Sequence, residues 1–332
     1  MAYITLNKNN FFHNLSIIES KTKDKNKIAI VLKDNAYGHG IVEIATMAKE
    51  YGIKKAVVRC EVEAKMVEDF FDYILVLSEI PTTSSDKIRY TISNIENISK
   101  FPKNTKVELK VDTGMHRNAI SKNQLTDAIK KIEENGLILE AIFTHHRSAD
   151  ELTSEWFWQN DNFKQIKKEF KYLKNIKFHS ANSASILRTT DFDEDMVRVG
   201  ISAYGCMDSF EVNNENILKP VLSLYALKNS TTNLKKGDRL GYSATYEMPS
   251  DAVVSNYDFG YGDGFLRICS NNYKTPDGNE QIGRISMDNS SFLSDKEELL
   301  IFNDARVIAK QAKTISYEIL TSLKPYIKRI IV

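Results

Sequence analysis

Ile28-Ala29-Ile30-Val31-Leu32-Lys33-Asp34-Asn35-Ala36-Tyr37-Gly38-His39-Gly40 opens one strand–loop–helix unit. Its first five residues are apolar and largely β-branched, the pattern of a strand buried on both faces. Beyond the glycine-bearing loop, Ile41, Ile44, Ala45 and Ala48 recur at helical spacing and predict a helix over 41–50, which Gly52 ends. The same texture returns seven times. Apolar runs stand at 56–59, 73–77, 90–93, 107–112, 141–145, 176–179 and 196–201. Further helices are expected over 123–134, stopped by Gly136, and over 155–170. Eight strands alternating with helical stretches point to a parallel sheet, and to a small (β/α)₈ barrel. An open doubly wound sheet is the alternative.

From about Leu218 the texture changes, and Leu218-Lys219-Pro220 reads as a boundary. Short runs at 221–226, 252–256, 281–286 and 306–308 are separated by the turn signals Lys235-Lys236-Gly237-Asp238, Pro249-Ser250-Asp251 and Pro276-Asp277-Gly278-Asn279. Few helical patterns occur before 316–323. The expected organisation is therefore a barrel over 1–218 and a β-rich domain over 219–332. Tyr3-Ile4-Thr5-Leu6 alternates, so residues 1–8 can lend a strand to the second domain.

Composition narrows the function. The 332 residues carry 45 Lys+Arg against 44 Asp+Glu, a net charge of +1, so no global field draws the chain to nucleic acid or to a membrane surface. Hydrophobic residues at 42% exclude disorder. No apolar run reaches the ~20 residues of a bilayer span, and the first residues hold no apolar core of a signal peptide, so the expected location is the cytoplasm. The three cysteines, Cys60, Cys206 and Cys269, are far apart and read as reduced thiols. His145 and His146 with His116 fit no metal-ligand spacing, so no metal is expected.

The chemistry gathers where strands end, which is the active-site face of a barrel. Lys33 closes the first strand. A partly desolvated lysine there can lose its proton and attack a carbonyl as a Schiff-base nucleophile, although a solvated strand-end lysine is an equal reading. Tyr37, four residues on, can reach an anion. Other strands run into Lys110-Val111-Asp112, His145-His146, His179-Ser180-Ala181-Asn182-Ser183 and Arg198-Val199-Gly200-Ile201. The last two loops are the usual phosphate site of such barrels, so lysine and cradle together suggest pyridoxal phosphate (PLP).

These residues sit in motifs. They are Lys-Asp-Asn-Ala-Tyr-Gly-His-Gly at 33–40, Lys-Val-Asp-Thr-Gly-Met-His-Arg at 110–117, His-Ser-Ala-Asn-Ser at 179–183 and Val-Arg-Val-Gly-Ile-Ser-Ala-Tyr-Gly at 197–205. Gly-Tyr-Ser-Ala-Thr-Tyr at 241–246, Gly-Tyr-Gly-Asp-Gly at 260–264, Gly-Arg-Ile-Ser-Met-Asp at 283–288 and Thr-Ile-Ser-Tyr-Glu at 314–318 follow. In this order they resemble the PLP-dependent alanine racemases of the barrel-plus-β-domain type, from about residue 3 to the C-terminus. The resemblance implies that Lys33 carries PLP and that Tyr242 is the second catalytic base. It implies a phosphate site of Tyr37, Ser183, Gly200, Ile201 and Tyr317, with Asn182 beside it. Arg198 would face the pyridine nitrogen and His145 would stack near the ring. Arg117 would meet the substrate carboxylate, oriented by Lys110, which is carbamylated in many family members. Tyr261 and Met287 would line the substrate entrance, in sites shared across a homodimer.

The implied logic is physical. Racemisation takes the Cα proton from one face and returns it to the other, which two opposed bases do simply. An arginine at the pyridine nitrogen stays protonated and keeps that nitrogen unprotonated, which shortens the life of the carbanion. Four departures from the usual family pattern stand out: His116 for glycine, Arg147 for a small residue, Val199 for proline and Gly262 in Gly-Tyr-Gly-Asp-Gly. His116 and Arg147 bring charge to the rim, so racemisation of serine or of basic amino acids is the alternative to alanine. A non-catalytic PLP carrier is opposed by the intact Tyr242 motif, and a PLP decarboxylase by Arg198.

Overall fold

A computed structural model describes residues 2–207 and 217–332. The chain begins with strand β1 (Tyr3–Leu6) and helix α1 (Lys8–Thr22). The helix is not among those the sequence pattern picks out, although Phe11, Leu15 and Ile18 form its buried face and Asn7 caps it by accepting from the Asn10 N–H.

Eight parallel strands follow: β2 (Ile28–Val31), β3 (Lys55–Val58), β4 (Tyr73–Val76), β5 (Ile88–Ile92), β6 (Lys106–Lys110), β7 (Ile138–Phe143), β8 (Lys177–His179) and β9 (Val197–Val199). Each expected run overlaps one of them. They pair in the order β8-β7-β6-β5-β4-β3-β2-β9. The two ends approach at a bridge between Asn182 and Arg198, where the Arg198 N–H donates to Ala181 O at 3.0 Å. The sheet is thus a nearly closed barrel rather than an open doubly wound sheet. Strands such as Ile-Ala-Ile-Val and Tyr-Ile-Leu-Val are buried along their whole length, because both faces are covered. Around them lie α2 (Lys33–Tyr37), α3 (Ile41–Tyr51), α4 (Glu61–Val67), α5 (Leu125–Glu134), α6 (Glu155–Glu169) and α7 (Ser183–Arg188).

The second domain is built on the long strand β10 (Leu222–Leu234). A small ribbon pairs β11 (Arg239–Leu240) with β12 (Tyr246–Glu247). The main sheet contains β13 (Ala252–Tyr257), β14 (Gln281–Ile282), β15 (Ser290–Phe292), β16 (Glu298–Phe302) and β17 (Lys328–Ile331). Its order is β14-β15-β13-β10-β1-β17, with β16 also on β10. Strand β1 therefore joins this domain, antiparallel to β10 and parallel to β17.

One expected strand is a helix. The run at 306–308 lies inside α8 (Ala305–Ala312). Asp304 caps it by accepting from the Arg306 N–H, and Ala305, Ile308, Ala309 and Ala312 bury one face. Alternation over three residues cannot distinguish a strand from such a face. Helix α9 (Ser316–Ser322) follows and returns the chain to the barrel. Among the described residues no helix is long and apolar enough to cross a membrane.

Candidate active site

Lys33 sits at the end of β2 with its side chain 37% exposed and Nζ 3.8 Å from the Asp34 carboxylate. The four residues after it turn the wrong way. Asp34, Asn35, Ala36 and Tyr37 all have φ between 50° and 55°, a left-handed helical turn made without glycine. Each such residue costs about 1–2 kcal/mol, so the surroundings must over-determine the turn. They do. The Asp34 N–H donates to Glu63 Oε1 at 2.6 Å, and Asn35 Oδ1 accepts from the Ile41 N–H at 2.9 Å. His39 Nδ1 contacts Ala36 O at 3.2 Å and Tyr37 O at 3.0 Å, while its ring stacks on Tyr204 at 4.4 Å. Arg329, from β17, donates to Gly38 O through Nε at 3.1 Å and Nη2 at 2.8 Å. Its remaining bonds go to the carbonyls of Lys324, Pro325 and Ile327. The last strand of the chain thus clamps the turn that carries Lys33.

The turn aims Tyr37 across the barrel mouth. A Cβ on Gly200 would lie 3.0 Å from the Tyr37 ring, so only glycine lets the two approach this closely. Ser183 Oγ accepts from the N–H groups of Gly200 at 3.1 Å and Ser202 at 3.3 Å. Asn182 caps α7 through the N–H groups of Ala184 and Ser185. Tyr317, in the first turn of α9, lies 5.6 Å from Tyr37 between ring centroids. Among the described residues the buried hydroxyl of Ser202 has no hydrogen-bond partner. Tyr37, Ser183, Gly200 and Ser202 thus lie together at this end of the barrel.

Arg198 fills the barrel centre, 6% exposed. Its Nη2 donates to Thr144 O at 2.7 Å and Ser180 O at 3.2 Å, and its Nη1 approaches His179 Nδ1 at 2.5 Å. Burial holds the guanidinium down to about 10, still well above neutrality. Burial, and then the charges of Arg198, Lys110 and Arg117 with His146 adjoining, hold His145 well below the usual imidazole range. Lys110 is pushed down to about 8, first by burial and then by Arg117 and Arg198. A lysine so depressed holds a neutral fraction near pH 8, the form a carbamylation requires.

The two charged departures from the family pattern are occupied locally. His116 adopts φ +53°, and its Nδ1 lies 3.0 Å from Asp112 Oδ2. Arg147 pairs with Glu155 and donates to Gly114 O at 2.9 Å.

Tyr242, Tyr261 and Met287 stand elsewhere. They occupy neighbouring loops of the second domain: the Tyr261 N–H donates to Ser286 O, the Gly262 N–H to Met287 O, and Arg284 Nη1 reaches Ser243 Oγ at 3.1 Å. All three side chains are exposed, Tyr242 at 66%. Among the described residues no hydrogen bond, ion pair or ring contact joins them to Lys33. Sequence reading missed Glu63, Tyr204, Ser202 and Arg329, whose positions only the folded turn and cradle reveal. Among the described residues no group of three or more His, Cys, Asp or Glu is placed to hold a metal ion.

Buried titratable groups give this fold a pH signature. Burial pushes His39 and His146 down to about 4 and His179 well below its usual value. The unfolded chain binds those protons from about pH 6.5 downward, so stability falls as pH drops. Glu108 opposes them: burial raises it to about 8, so stability it contributes is lost as pH rises from about 4.5 to 8. Four depressed imidazoles, His145 among them, against one raised carboxyl leave stability falling as pH drops from 7 to 5. Urea midpoints at pH 5, 6 and 7 check this, and equal midpoints at pH 5 and 7 would contradict it.

Comparison with known proteins matches this arrangement end to end. The model of the alanine racemase N-terminal domain covers residues 6–208, and that of the alanine racemase C-terminal domain covers 221–331. An alanine racemase of a Nitratiruptor species is 41% identical over 335 residues, 99% of each chain. The solved alanine racemase of Clostridium difficile 630 superposes with a TM-score of 0.91 at 26% identity, over 100% of this chain and 95% of its own. That of Bacillus anthracis with bound L-Ala-P does so at 0.89 and 25%, with the same coverage. Both domains, in order and over their full extent, place this chain in the alanine racemase family.

Proposed function

We propose that this protein racemises L-alanine to D-alanine with PLP, Lys33 and Tyr242 being the two bases, and so supplies D-alanine for peptidoglycan. The observation that carries the residue assignment is the strained left-handed turn that sets Lys33 beside an anion cradle. The cradle fits a phosphate. Tyr37, Ser183, Tyr317 and the backbone of Gly200 and Ile201 would bind it, with Asn182 holding the α7 start, and the unpartnered Ser202 hydroxyl lies beside them. PLP, when bound, draws electrons from the substrate Cα and so makes its proton acidic.

The remaining work falls to the chain. Lys33 Nζ removes or returns the proton on one face of Cα, and Tyr242 Oη does so on the other. Arg198 presents a guanidinium that donates and stays protonated at neutral pH, so the pyridine nitrogen it would face would stay unprotonated. His145 would pack beside the ring. Arg117 would hold the substrate carboxylate, with Lys110, carbamylated, bracing the guanidinium. Tyr317, its ring 5.6 Å from that of Tyr37, would narrow the site toward small side chains. His116 and Arg147 are engaged by Asp112 and Glu155, so neither brings an uncompensated charge to an incoming substrate, which favours alanine over charged amino acids.

Lys33 lies in the barrel, while Tyr242, Tyr261 and Met287 form an exposed face of the second domain. We infer a homodimer in which each barrel mouth is completed by the partner's second domain. The protein acts in the cytoplasm on this reading. Chiral chromatography of L-alanine incubated with protein and PLP, beside L-serine and L-lysine, is the direct test. D-alanine forming fastest supports the proposal. Fastest conversion of serine or lysine would replace the substrate, and no D-product from any would remove the racemase function.

A further inference from the structure

A carboxylate that the racemase chemistry does not use lies at the heart of the barrel. Glu108, on β6, is 1% exposed and binds two neighbours. Its Oε1 is hydrogen-bonded by the Tyr73 hydroxyl, and its Oε2 lies 2.8 Å from His179 Nε2. His179 Nδ1 in turn lies 2.5 Å from Arg198 Nη1. A guanidinium can only donate, so Nδ1 is the acceptor. The imidazole proton therefore sits on Nε2 and is donated to Glu108. The direction of every bond from Arg198 to Glu108 is fixed. Phe143 walls the array, with its ring stacked on His179 at 4.8 Å and under Arg198 at 5.2 Å. The other Arg198 bonds go to backbone carbonyls, and a second buried carboxylate, Glu194, acts on Arg198 from its bonds to Ser180 and Ala181, so Glu108 is the carboxylate that reaches Arg198 through the His179 side chain.

A buried carboxylate is an expensive way to fill this space, since packed apolar side chains there would be at least as stable. Its distinguishing contribution is charge, delivered through one imidazole to the group assigned to the cofactor ring. We propose that Glu108 is a positioning residue which, through His179, sets how strongly Arg198 polarises the pyridine nitrogen of PLP. This rests on the assignment of Arg198 made above. Burial raises Glu108 to about 8, with Glu140 adding to that push and Arg198, Lys177 and Lys55 opposing it. The array is thus neutral at His179 and Glu108 below that range and carries the Glu108 charge above it, where it offsets Arg198.

The test uses the holoenzyme and Glu108→Gln. The amide oxygen still accepts from His179 Nε2, so shape is kept while charge is lost. The absorbance of bound PLP, and kcat and KM for alanine, are read at pH 6.5 and 9.5. At pH 9.5 the variant should show a displaced cofactor absorbance and kcat lowered at least fivefold, with KM within twofold. At pH 6.5 it should match the parent. His179→Gln, which cuts the chain of bonds, should displace the absorbance at pH 9.5 by itself, and adding Glu108→Gln should change nothing more. Identical absorbance and kcat of parent and Glu108→Gln at pH 9.5 would overturn the proposal, as would additive effects in the double variant. Arg198→Lys separates the two levels. If it displaces the absorbance while Glu108→Gln does not, only the role of Glu108 fails. If neither does, the assignment of Arg198 to the ring fails as well.

Discussion

Tyr242→Phe should lower kcat for alanine by about 10³-fold and leave PLP bound, because it removes one of two bases and nothing that holds the cofactor. The size follows from the usual contribution of a positioned general base, roughly 10²–10⁴-fold. The selectivity follows from the structure. Tyr242 is exposed in the single chain, and among the described residues its hydroxyl makes no hydrogen bond, so stability should change by less than about 0.5 kcal/mol. L- and D-alanine have equal free energies, so kcat/KM must fall equally in the two directions. Steady-state rates from both enantiomers, with the visible spectrum of the bound cofactor, check both halves. A loss below tenfold would remove Tyr242 from the chemistry, and loss of colour would give it a binding role instead.

Gly38→Ala should be severely damaging although it adds a single methyl. Gly38 has φ +75°, and a Cβ there would sit 1.9 Å from Leu320 O, the backbone of α9. Backbone cannot swing aside as a flexible side chain can, so either the turn or the helix must move. We expect a loss of about 3 kcal/mol or more, the sum of overpacking and left-handed strain. Helix α9 carries Tyr317 and the turn carries Tyr37, whose rings lie 5.6 Å apart. Separating them should also weaken PLP binding by tenfold or more. Urea midpoints and PLP titration measure the two effects. An unchanged midpoint would show that the contact yields freely.

Much of this molecule is legible in its sequence, and the exceptions have physical causes. Eight apolar runs separated by helices reveal the barrel because a strand buried on both faces needs continuous apolar residues, as in Ile28–Val31 and Tyr73–Val76. The second domain is less transparent. Its strands show one face to water, and the run around Ile308 belongs to a helix whose cap, Asp304, stands just before it. At the site, Lys33, Ser183 and Arg198 are visible because strand ends point to one rim. The left-handed turn is not visible, since Asp34, Asn35, Ala36 and Tyr37 carry no glycine to announce it. Two of its supports, Glu63 and Arg329, come from distant parts of the chain, and no local pattern marks them.

The central claim is that Lys33 of one copy works with Tyr242 of another. Mixing Lys33→Ala protein with Tyr242→Phe protein, after dissociation and reassociation, tests it most directly. Each variant alone should be nearly inactive. In a mixed dimer one composite site loses both bases while the other keeps both. Random assortment of equal amounts should therefore restore about a quarter of the parent activity. Activity that stays at the level of the separate variants, with mixed dimers demonstrated by mass, would show that each chain supplies both bases to its own site.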